Sequence, residues 1–483
     1  MSQNNNLKAL SNLLWRFFER IGVQGVNFIV SIILARLLEP SAYGTIALVN
    51  VFTSILGVFA ISGFGTALVQ KKDADDLDFS SVFYFNLFMS IGLYVLLFFS
   101  APLISSFYRD MQLIPVIRIM GLTLIINGIN NVQNAYISRN LLFRKTFFST
   151  LTATFTSAII GIVMAYTNFG IWALVFQGLS SSFFSTLIIW LTIPWKPKWI
   201  FSSERLKGLF SFGWKLLTSS LLDTVYNNIR SLIIGKMYSS ADLAFYNKGR
   251  IFPYFIIDNI NTSIGSVLLP TMSQEQDNKT RIKSMTRRAI RTSTYIMAPM
   301  MIGLAVCAKP FIHLILTDKW LNCVFFLRIF CITFMFYPIH TANLNAINAM
   351  GRSDWFLKLE IVKKIVGVTL VLATMFISVE AMAYSLLLNT LLATMINAYP
   401  NKKLLNYSWT EQMKDILPHI TLSVLMGIPV LMLQFLPLSQ IAILIIQILT
   451  GAVIYISASA LLKLEIFNYL LGVAKDFLKN GKK

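Results

Sequence analysis

Charged and amide side chains recur at helical spacing within two apolar stretches of the sequence, residues 206–236 and 242–270. Successive members are three or four residues apart, so each set lies on one face of its helix. A charge near the centre of a bilayer costs roughly 2.5 to 3.5 kcal/mol, so both faces must meet water or each other. The first face carries Lys215, Ser219, Asp223, Asn227 and Arg230, and the second carries Asn247, Arg250, Tyr254, Asp258 and Asn261.

The chemistry that these side chains offer is recognition of an anion. Lys215, Arg230 and Arg250 lie too deep in their stretches for all three to reach the lipid headgroups. Cationic side chains bind phosphate oxygens strongly, and Asn227 and Asn247 add amide groups that match sugar hydroxyls. The pattern favours a water-filled, net cationic cavity for a phosphate or diphosphate.

The two acidic residues of these faces, Asp223 and Asp258, have two interpretations. They offset the cations in a buried ion-pair network that joins the two helices, or they titrate or hold a cation and so couple transport to an ion gradient. The sequence leaves both interpretations open.

The first half of the chain carries a second set of polar residues within apolar stretches. Amide groups there suit sugar hydroxyls, and the basic groups suit an anion. An alternative for Arg16 and Arg20 is that they only extend to the lipid headgroups. The candidate residues of this half are Arg16, Arg20, Asn27, Arg118 and Asn131.

The composition is that of a polytopic membrane protein. Of 483 residues, 56% are hydrophobic and only 13% are charged, which excludes a soluble globular chain and a disordered one. Spans of about 20 apolar residues fill nearly the whole length. We predict an all-α protein with fourteen transmembrane helices at residues 11–38, 43–70, 80–107, 112–138, 142–166, 170–193, 206–236, 242–270, 290–316, 320–349, 355–377, 380–400, 412–435 and 439–462.

The distribution of basic residues predicts the orientation. Even-numbered loops and the C-terminal tail hold most of the 41 Lys and Arg residues, whereas the odd-numbered loops hold Arg109, Lys236 and Lys319. By the positive-inside rule both termini are cytoplasmic. The net charge of +20 is spread over many short loops, so it reflects topology and not nucleic-acid binding.

An internal repeat divides the chain. At an offset of 200 residues Asn27 matches Asn227 and Ser31 matches Ser231, and spans 4 and 10 both become rich in asparagine before they end at an arginine. The matching spans are six apart, and because six is an even number they cross the membrane in the same direction. The two repeats are therefore parallel and related by an axis along the membrane normal. We therefore predict an N-lobe at 1–200, a C-lobe at 201–405, and two extra spans with an amphipathic tail at 406–483.

Catalytic and metal-binding motifs are not found in the sequence. The segment 208–215 (GLFSFGWK) lacks the lysine that follows the second glycine of a phosphate-binding loop. The three histidines have no metal-ligand spacing, and the three cysteines form no pair. The sequence predicts neither an enzyme nor a bound cofactor or metal.

Four segments of the chain resemble bacterial polysaccharide exporters. The family is that of the O-antigen, capsule and exopolysaccharide (lipopolysaccharide pathway) flippases of the multidrug/oligosaccharidyl-lipid/polysaccharide superfamily, near the colanic acid exporter branch. The resemblance covers about residues 10–460. The segments are residues 63–72 (GFGTALVQKK), 246–277 (YNKGRIFPYF to VLLPTMSQEQD), 318–320 (DKW) and 343–354 (NLNAINAMGRSD).

This resemblance implies a V-shaped bundle of two six-helix lobes, as in the multidrug (MATE) transporters. It implies that the protein moves undecaprenyl-diphosphate-linked oligosaccharide from the cytoplasmic to the outer leaflet of the inner membrane, with proton or sodium coupling and with polysaccharide polymerase or chain-length machinery as possible partners.

Three other functions are weighed against the flippase interpretation of the same residues. A MATE-type small-molecule or cation antiporter has the same fold, but a cavity rich in cations and amides favours an anionic lipid-linked sugar. A membrane polysaccharide polymerase usually carries a large outer loop, and the predicted outer loops are short. A purely structural membrane scaffold does not need buried charges.

Overall fold

The computed structural model describes residues 2–61 and 63–480, and the elements in these ranges are helices joined by turns. They form two compact units, residues 1–244 and 245–483, each with its own core. The division falls inside one helix, Ser240–Ser273. The lobes predicted at 1–200, 201–405 and 406–483 stay a prediction.

The first unit contains long apolar helices interrupted by two short ones. They are α1 (Ser2–Leu37), α2 (Pro40–Ile61), α3 (Phe64–Gln70), α4 (Asp76–Tyr108), α5 (Leu113–Met120), α6 (Leu122–Arg139), α7 (Phe143–Tyr166), α8 (Ile171–Thr192) and α9 (Ser203–Met237).

The second unit takes up most of α10 (Ser240–Ser273) and continues to the tail. Its further helices are α11 (Lys279–Val306), α12 (Ala308–Leu316), α13 (Cys323–Phe334), α14 (Tyr337–Ala349), α15 (Ser353–Thr374), α16 (Val379–Leu405), α17 (Trp409–Met432), α18 (Gln440–Leu461) and α19 (Glu465–Asn480), with 3-10 turns at Asp318–Trp320 and Leu433–Phe435.

Each of the fourteen predicted spans coincides with a helix or a pair of helices. Within the described ranges, eleven segments are long and apolar enough to cross a membrane. Helices α9, α10 and α15 are not among them, although they have 35, 34 and 22 residues. Their charged side chains lower the mean hydropathy, so the polytopic class is confirmed while the count of fourteen stays a prediction.

Four predicted spans are broken instead of continuous. Span 2 divides into α2 and α3, span 4 into α5 and α6, span 9 into α11 and α12, and span 10 into α13 and α14.

The break in span 2 has a clear physical cause. Gly63 has φ of 69°, and a Cβ there would lie 2.5 Å from the backbone of Gly213 in α9. Only glycine allows this turn and this approach together.

The start of α9 is fastened to α4 by the linker between α8 and α9. The Trp195 indole N–H donates to Asp76 at 3.1 Å, and the backbone N–H of Ser202 donates to the Ser81 hydroxyl at 2.9 Å. The Ser202 hydroxyl in turn accepts from the backbone N–H of Arg205, which caps the helix. This fixes the register of α9 within the first unit.

In the second unit, a buried carboxylate joins α11 to α17. Asp415 accepts from the Arg287 guanidinium at 2.7 Å and from the Tyr407 hydroxyl at 2.8 Å. Burial and the neighbouring Asp415 carboxylate raise the pKa of Tyr407, so the hydroxyl keeps the proton that it donates. The tail helix α19 packs at the same bundle, where Glu465 pairs with Arg291 at 2.8 Å.

Replacing Gly63 with alanine tests the α3–α9 contact. A positive φ costs an alanine roughly 1 to 2 kcal/mol, and the added Cβ meets backbone that cannot rotate away. We expect the midpoint of thermal unfolding in detergent to fall by several degrees. Gly92→Ala is the control, because a Cβ at Gly92 meets nothing within 4 Å. Equal midpoints for the two variants would contradict the assigned turn.

Candidate functional site

A cavity of about 800 Å³ lies inside the first unit. It is bounded by α2, α3, α6, α8 and α9, together with the end of α5, so six helices contribute to one space. Its lining is Asn50, Thr53, Ser54, Gly57, Val58, Gly63, Thr66, Met120, Thr123, Leu124, Asn127, Gly178, Ser182, Leu216 and Ser220.

The polar groups of this cavity are amides and hydroxyls. Asn50 and Asn127 are exposed to it, and within the described ranges their side chains make no hydrogen bond to protein. An amide left without a partner in a membrane helix is costly unless it faces water or a ligand. We therefore expect water or a ligand to occupy this cavity.

Helix α9 carries both part of this cavity and a buried cation. Leu216 and Ser220 line the cavity, and Arg230 follows about 15 Å further along the helix. Arg230 is 7% exposed, and its Nε and Nη2 atoms have no hydrogen-bond partner among the described residues. A guanidinium without a partner attracts an anion more strongly than one that is already paired.

The position of Arg230 is set by the helices that hold α9. The Leu48 side chain packs on α9 at Gly235, where a Cβ would lie 2.4 Å from it. The Tyr108 hydroxyl donates to the carbonyl of Leu232 at 3.4 Å, and the Lys236 ammonium lies 4.1 Å from the centre of the Phe107 ring. These contacts hold the last turns of α9 against α2 and α4.

The other predicted residues of α9 are exposed. Lys215, Asp223 and Asn227 all lie on exposed positions, and Asn227 is two helical turns beyond Ser220 on the same face. The predicted stripe is therefore present on the helix, with Arg230 as its buried end. Asp223 makes further polar interactions, so the ion-pair interpretation of this residue stays open.

The predicted residues of α10 are half-buried. The Arg250 guanidinium lies 5.3 Å from the centre of the Tyr254 ring, one turn away on the same face. Asn247 and Asp258 are also half-buried, and Asp258 makes further polar interactions.

The polar residues predicted in the first half of the chain are not brought to the cavity. Asn131 is buried, with its Oδ1 atom 3.1 Å from where a Cβ on Gly65 would lie. Arg118 stacks on Phe98, with its guanidinium carbon 4.3 Å from the ring centre. These two side chains pack against α3 and α4. Arg20 and Asn27 are exposed on α1, and the Arg16 side chain lies outside the described residues.

Sequence reasoning missed most of the cavity lining. Asn50, Thr53, Ser54 and Gly57 recur at helical spacing in α2, and Ser182 lies in α8. The signal was a row of small polar residues within an apolar span, which is weaker than a row of charges. Asn127 belongs to the asparagine-rich part of span 4 and lines the cavity, whereas Asn131, one turn further, is buried.

The fold is that of a polytopic helical membrane protein. The lipid II flippase MurJ in an inward closed conformation superposes with a TM-score of 0.76 at 15% identity, over 94% of this chain and 98% of that one. An inward-facing MATE family multidrug resistance transporter of the MOP superfamily gives 0.62 at 15% identity, over 79% and 94%. At these identities the likeness concerns the fold alone.

The family follows from the sequence. Residues 33–325 match the family described as Polysaccharide biosynthesis protein, and the chain belongs to that family. The Succinoglycan biosynthesis transport protein ExoT of Rhizobium meliloti (strain 1021) is 24% identical over 325 residues, which are 66% of this chain and 65% of the relative. The match thus spans just under two thirds of that relative's length. The resemblance to polysaccharide exporters is confirmed.

Cysteine labelling tests whether water fills the cavity. The three native cysteines are buried, so a cysteine introduced at Ser182 or Ser220 is the reactive thiol. We expect a charged methanethiosulfonate reagent to label both variants, because both positions face a hydrated space. Ser90→Cys is the control, since Ser90 is 0% exposed. Labelling of Ser182→Cys and Ser220→Cys as slow as that of the control would exclude a hydrated cavity.

Proposed function

We propose that the protein is a flippase that carries undecaprenyl-diphosphate-linked oligosaccharide from the cytoplasmic to the outer leaflet of the bacterial inner membrane, by alternating access and without ATP. One observation carries the proposal. Helix α9 combines a buried guanidinium, that of Arg230, which has no hydrogen-bond partner in the described part of the chain, with a segment that lines a cavity of amides and hydroxyls. A diphosphate supplies the missing anion, and sugar hydroxyls match the cavity.

The names of the related proteins support the proposal. The succinoglycan relative is named as a transport protein, and the structural neighbour is named as a flippase of lipid II. Membership in the polysaccharide biosynthesis family supports a cargo of this kind. The remaining predicted residues do not line this cavity, and their part in substrate binding stays a prediction: Lys215, Asn227, Asn247, Arg250, Arg16, Arg20, Asn27, Arg118 and Asn131.

The orientation and the energy source are part of the proposal. The basic loops lie in the cytoplasm, and both termini are on that side. Asp223 and Asp258 couple transport to a proton or sodium gradient. A polysaccharide polymerase or chain-length protein receives the cargo on the outer side.

A cation antiporter fits the cavity less well. Carriers of cationic drugs need a counter-charge, and the lining given above contains no acidic side chain. The MATE-like fold is shared by both functions and does not separate them.

Transport in proteoliposomes tests the function directly. Purified protein is reconstituted with a fluorescent undecaprenyl-diphosphate-linked oligosaccharide, and translocation is read as loss of fluorescence to an impermeant quencher. We expect faster translocation than in empty vesicles. The same rate in both preparations would exclude the flippase function.

Arg230→Gln separates transport from stability. Removing a buried cation that lacks a partner leaves the fold unchanged or more stable, whereas loss of a charged hydrogen bond to phosphate weakens substrate binding about tenfold or more. We expect translocation to fall by that factor while the unfolding midpoint stays or rises. Arg281→Gln is the control, because Arg281 pairs with Glu275 on the exposed surface. A fully active Arg230→Gln variant would remove Arg230 from the site.

Gly178→Phe fills the cavity without disturbing the helices. A Cβ at Gly178 meets nothing within 4 Å, and the residue lines the cavity. We expect a normally folded protein with about tenfold slower translocation, because the ring takes space that the substrate needs. Gly92→Phe is the matched control on α4, with equal room and no place in the lining. Equal translocation rates for the two variants would contradict the assigned cavity.

A further inference from the structure

Every side chain that lines the cavity of the first unit is uncharged. Its polar members are two asparagines, three threonines and three serines, and the rest are aliphatic residues, methionine and glycine. Lys215, which precedes Leu216, is not in the lining. Ile61 and Ser62, which precede Gly63 and have side chains outside the described residues, are uncharged by type. The electrostatic character of the space is therefore neutral.

Several of the hydroxyls that line the cavity already donate a hydrogen bond to a backbone carbonyl nearby in the sequence. The Thr53 hydroxyl donates to the carbonyl of Val49 at 3.1 Å, and the Thr123 hydroxyl donates to the carbonyl of Met120 at 2.6 Å. The Ser54 hydroxyl donates to the carbonyl of Val51 at 2.9 Å. A hydroxyl that donates into its own helix offers only its lone pairs to the cavity. These three groups are acceptors for a ligand.

The other polar lining groups can donate to a ligand. The amides of Asn50 and Asn127 can both donate and accept, and the Thr66, Ser182 and Ser220 hydroxyls make no hydrogen bond to protein in the described part of the chain. Apolar surface from Leu124 and Leu216 completes the wall. The mixture suits a ligand that both donates and accepts through many hydroxyls and has C–H faces between them.

We infer that this cavity binds uncharged sugar residues and selects against acidic ones. The inference rests on the proposed flippase function and specifies its cargo. A sugar hydroxyl can donate to the Thr53, Ser54 and Thr123 oxygens and accept from the amides. A carboxylate or phosphate on the sugar only accepts, so it gains nothing from these three oxygens, and the described lining offers no cation to offset its lost hydration.

The size of the cavity fits a short oligosaccharide. A volume of about 800 Å³ lies near the upper end of the range of about 300 to 1,000 Å³ for small-molecule sites. The acidic part of the carrier, its diphosphate, is bound by the cationic side chains and not by this lining.

Binding of three water-soluble probes to the full-length protein in detergent tests the inference. The first is a short prenyl diphosphate without sugar, the second carries a neutral hexose disaccharide, and the third replaces one hexose with the corresponding uronic acid. We expect the neutral disaccharide to tighten binding about tenfold over the prenyl diphosphate, because it gains several hydrogen bonds. The uronic acid probe gains nothing or binds more weakly.

A lysine introduced into the lining tests whether charge is the cause. Ser182→Lys places a cation in the cavity, so we expect the preference to reverse in favour of the uronic acid probe. Ser182→Ala is the comparison, since it removes the hydroxyl without adding charge and leaves the preference for the neutral probe. Asn50→Lys on α2 repeats the test from a second helix if Ser182→Lys does not fold.

The outcomes distinguish failure of the inferred sugar selectivity from failure of the proposed flippase function. Equal affinity for the three probes, or tighter binding of the uronic acid probe by the unaltered protein, overturns the inference while the anion-binding function stands. Failure of Ser182→Lys and Asn50→Lys, once folded, to raise affinity for the uronic acid probe also overturns it. Failure of all three probes to bind overturns the proposed function and the inference with it.

Discussion

A bilayer offers no hydrogen-bond partners, so each polar group within a span must find one inside the protein or face a water-filled space. Many polar groups among the described residues have a hydrogen-bond partner inside the protein. The Thr154 and Thr333 hydroxyls donate to carbonyls one turn earlier at 2.7 and 2.8 Å, and Ser149 donates to the carbonyl of Ser185 in the next helix at 2.8 Å. Arg230 and the cavity amides are among the groups that have no such hydrogen-bond partner in the described part of the chain.

The two units satisfy this requirement differently in the asparagine-rich parts of spans 4 and 10. In span 10, Asn343 is fully buried and bonds to Gln412 at 2.8 Å and to Asn401 at 2.6 Å. In span 4, Asn127 lines the cavity. The second unit thus uses its amides to join α14, α16 and α17, whereas the first unit leaves an amide exposed in its cavity.

The sequence predicted the helices well and the site only in part. Hydropathy and charge are read along the chain, so the spans, the two charge stripes and the tail helix all correspond to observed helices. The breaks inside spans 2 and 10 were missed, because an apolar run looks continuous whether or not its backbone turns. Arg118 and Asn131 were predicted to face a substrate, and that stays a prediction. Their contacts with Phe98 and beside Gly65 could not be predicted, because helices distant in sequence supply the ring and the small residue.

By itself, the sequence determined that this is a helical membrane protein that resembles the polysaccharide exporters, and that α9 has one polar face. Those properties depend on composition, on local spacing and on motifs along the chain. Only the tertiary structure decided that Arg230 has no hydrogen-bond partner among the described residues, that Asn127 lines the cavity while Asn131 does not, and that the described lining is uncharged. The physical reason is that a polar side chain acquires its role from the group that a neighbouring helix presents to it, and helices distant in sequence supply that group.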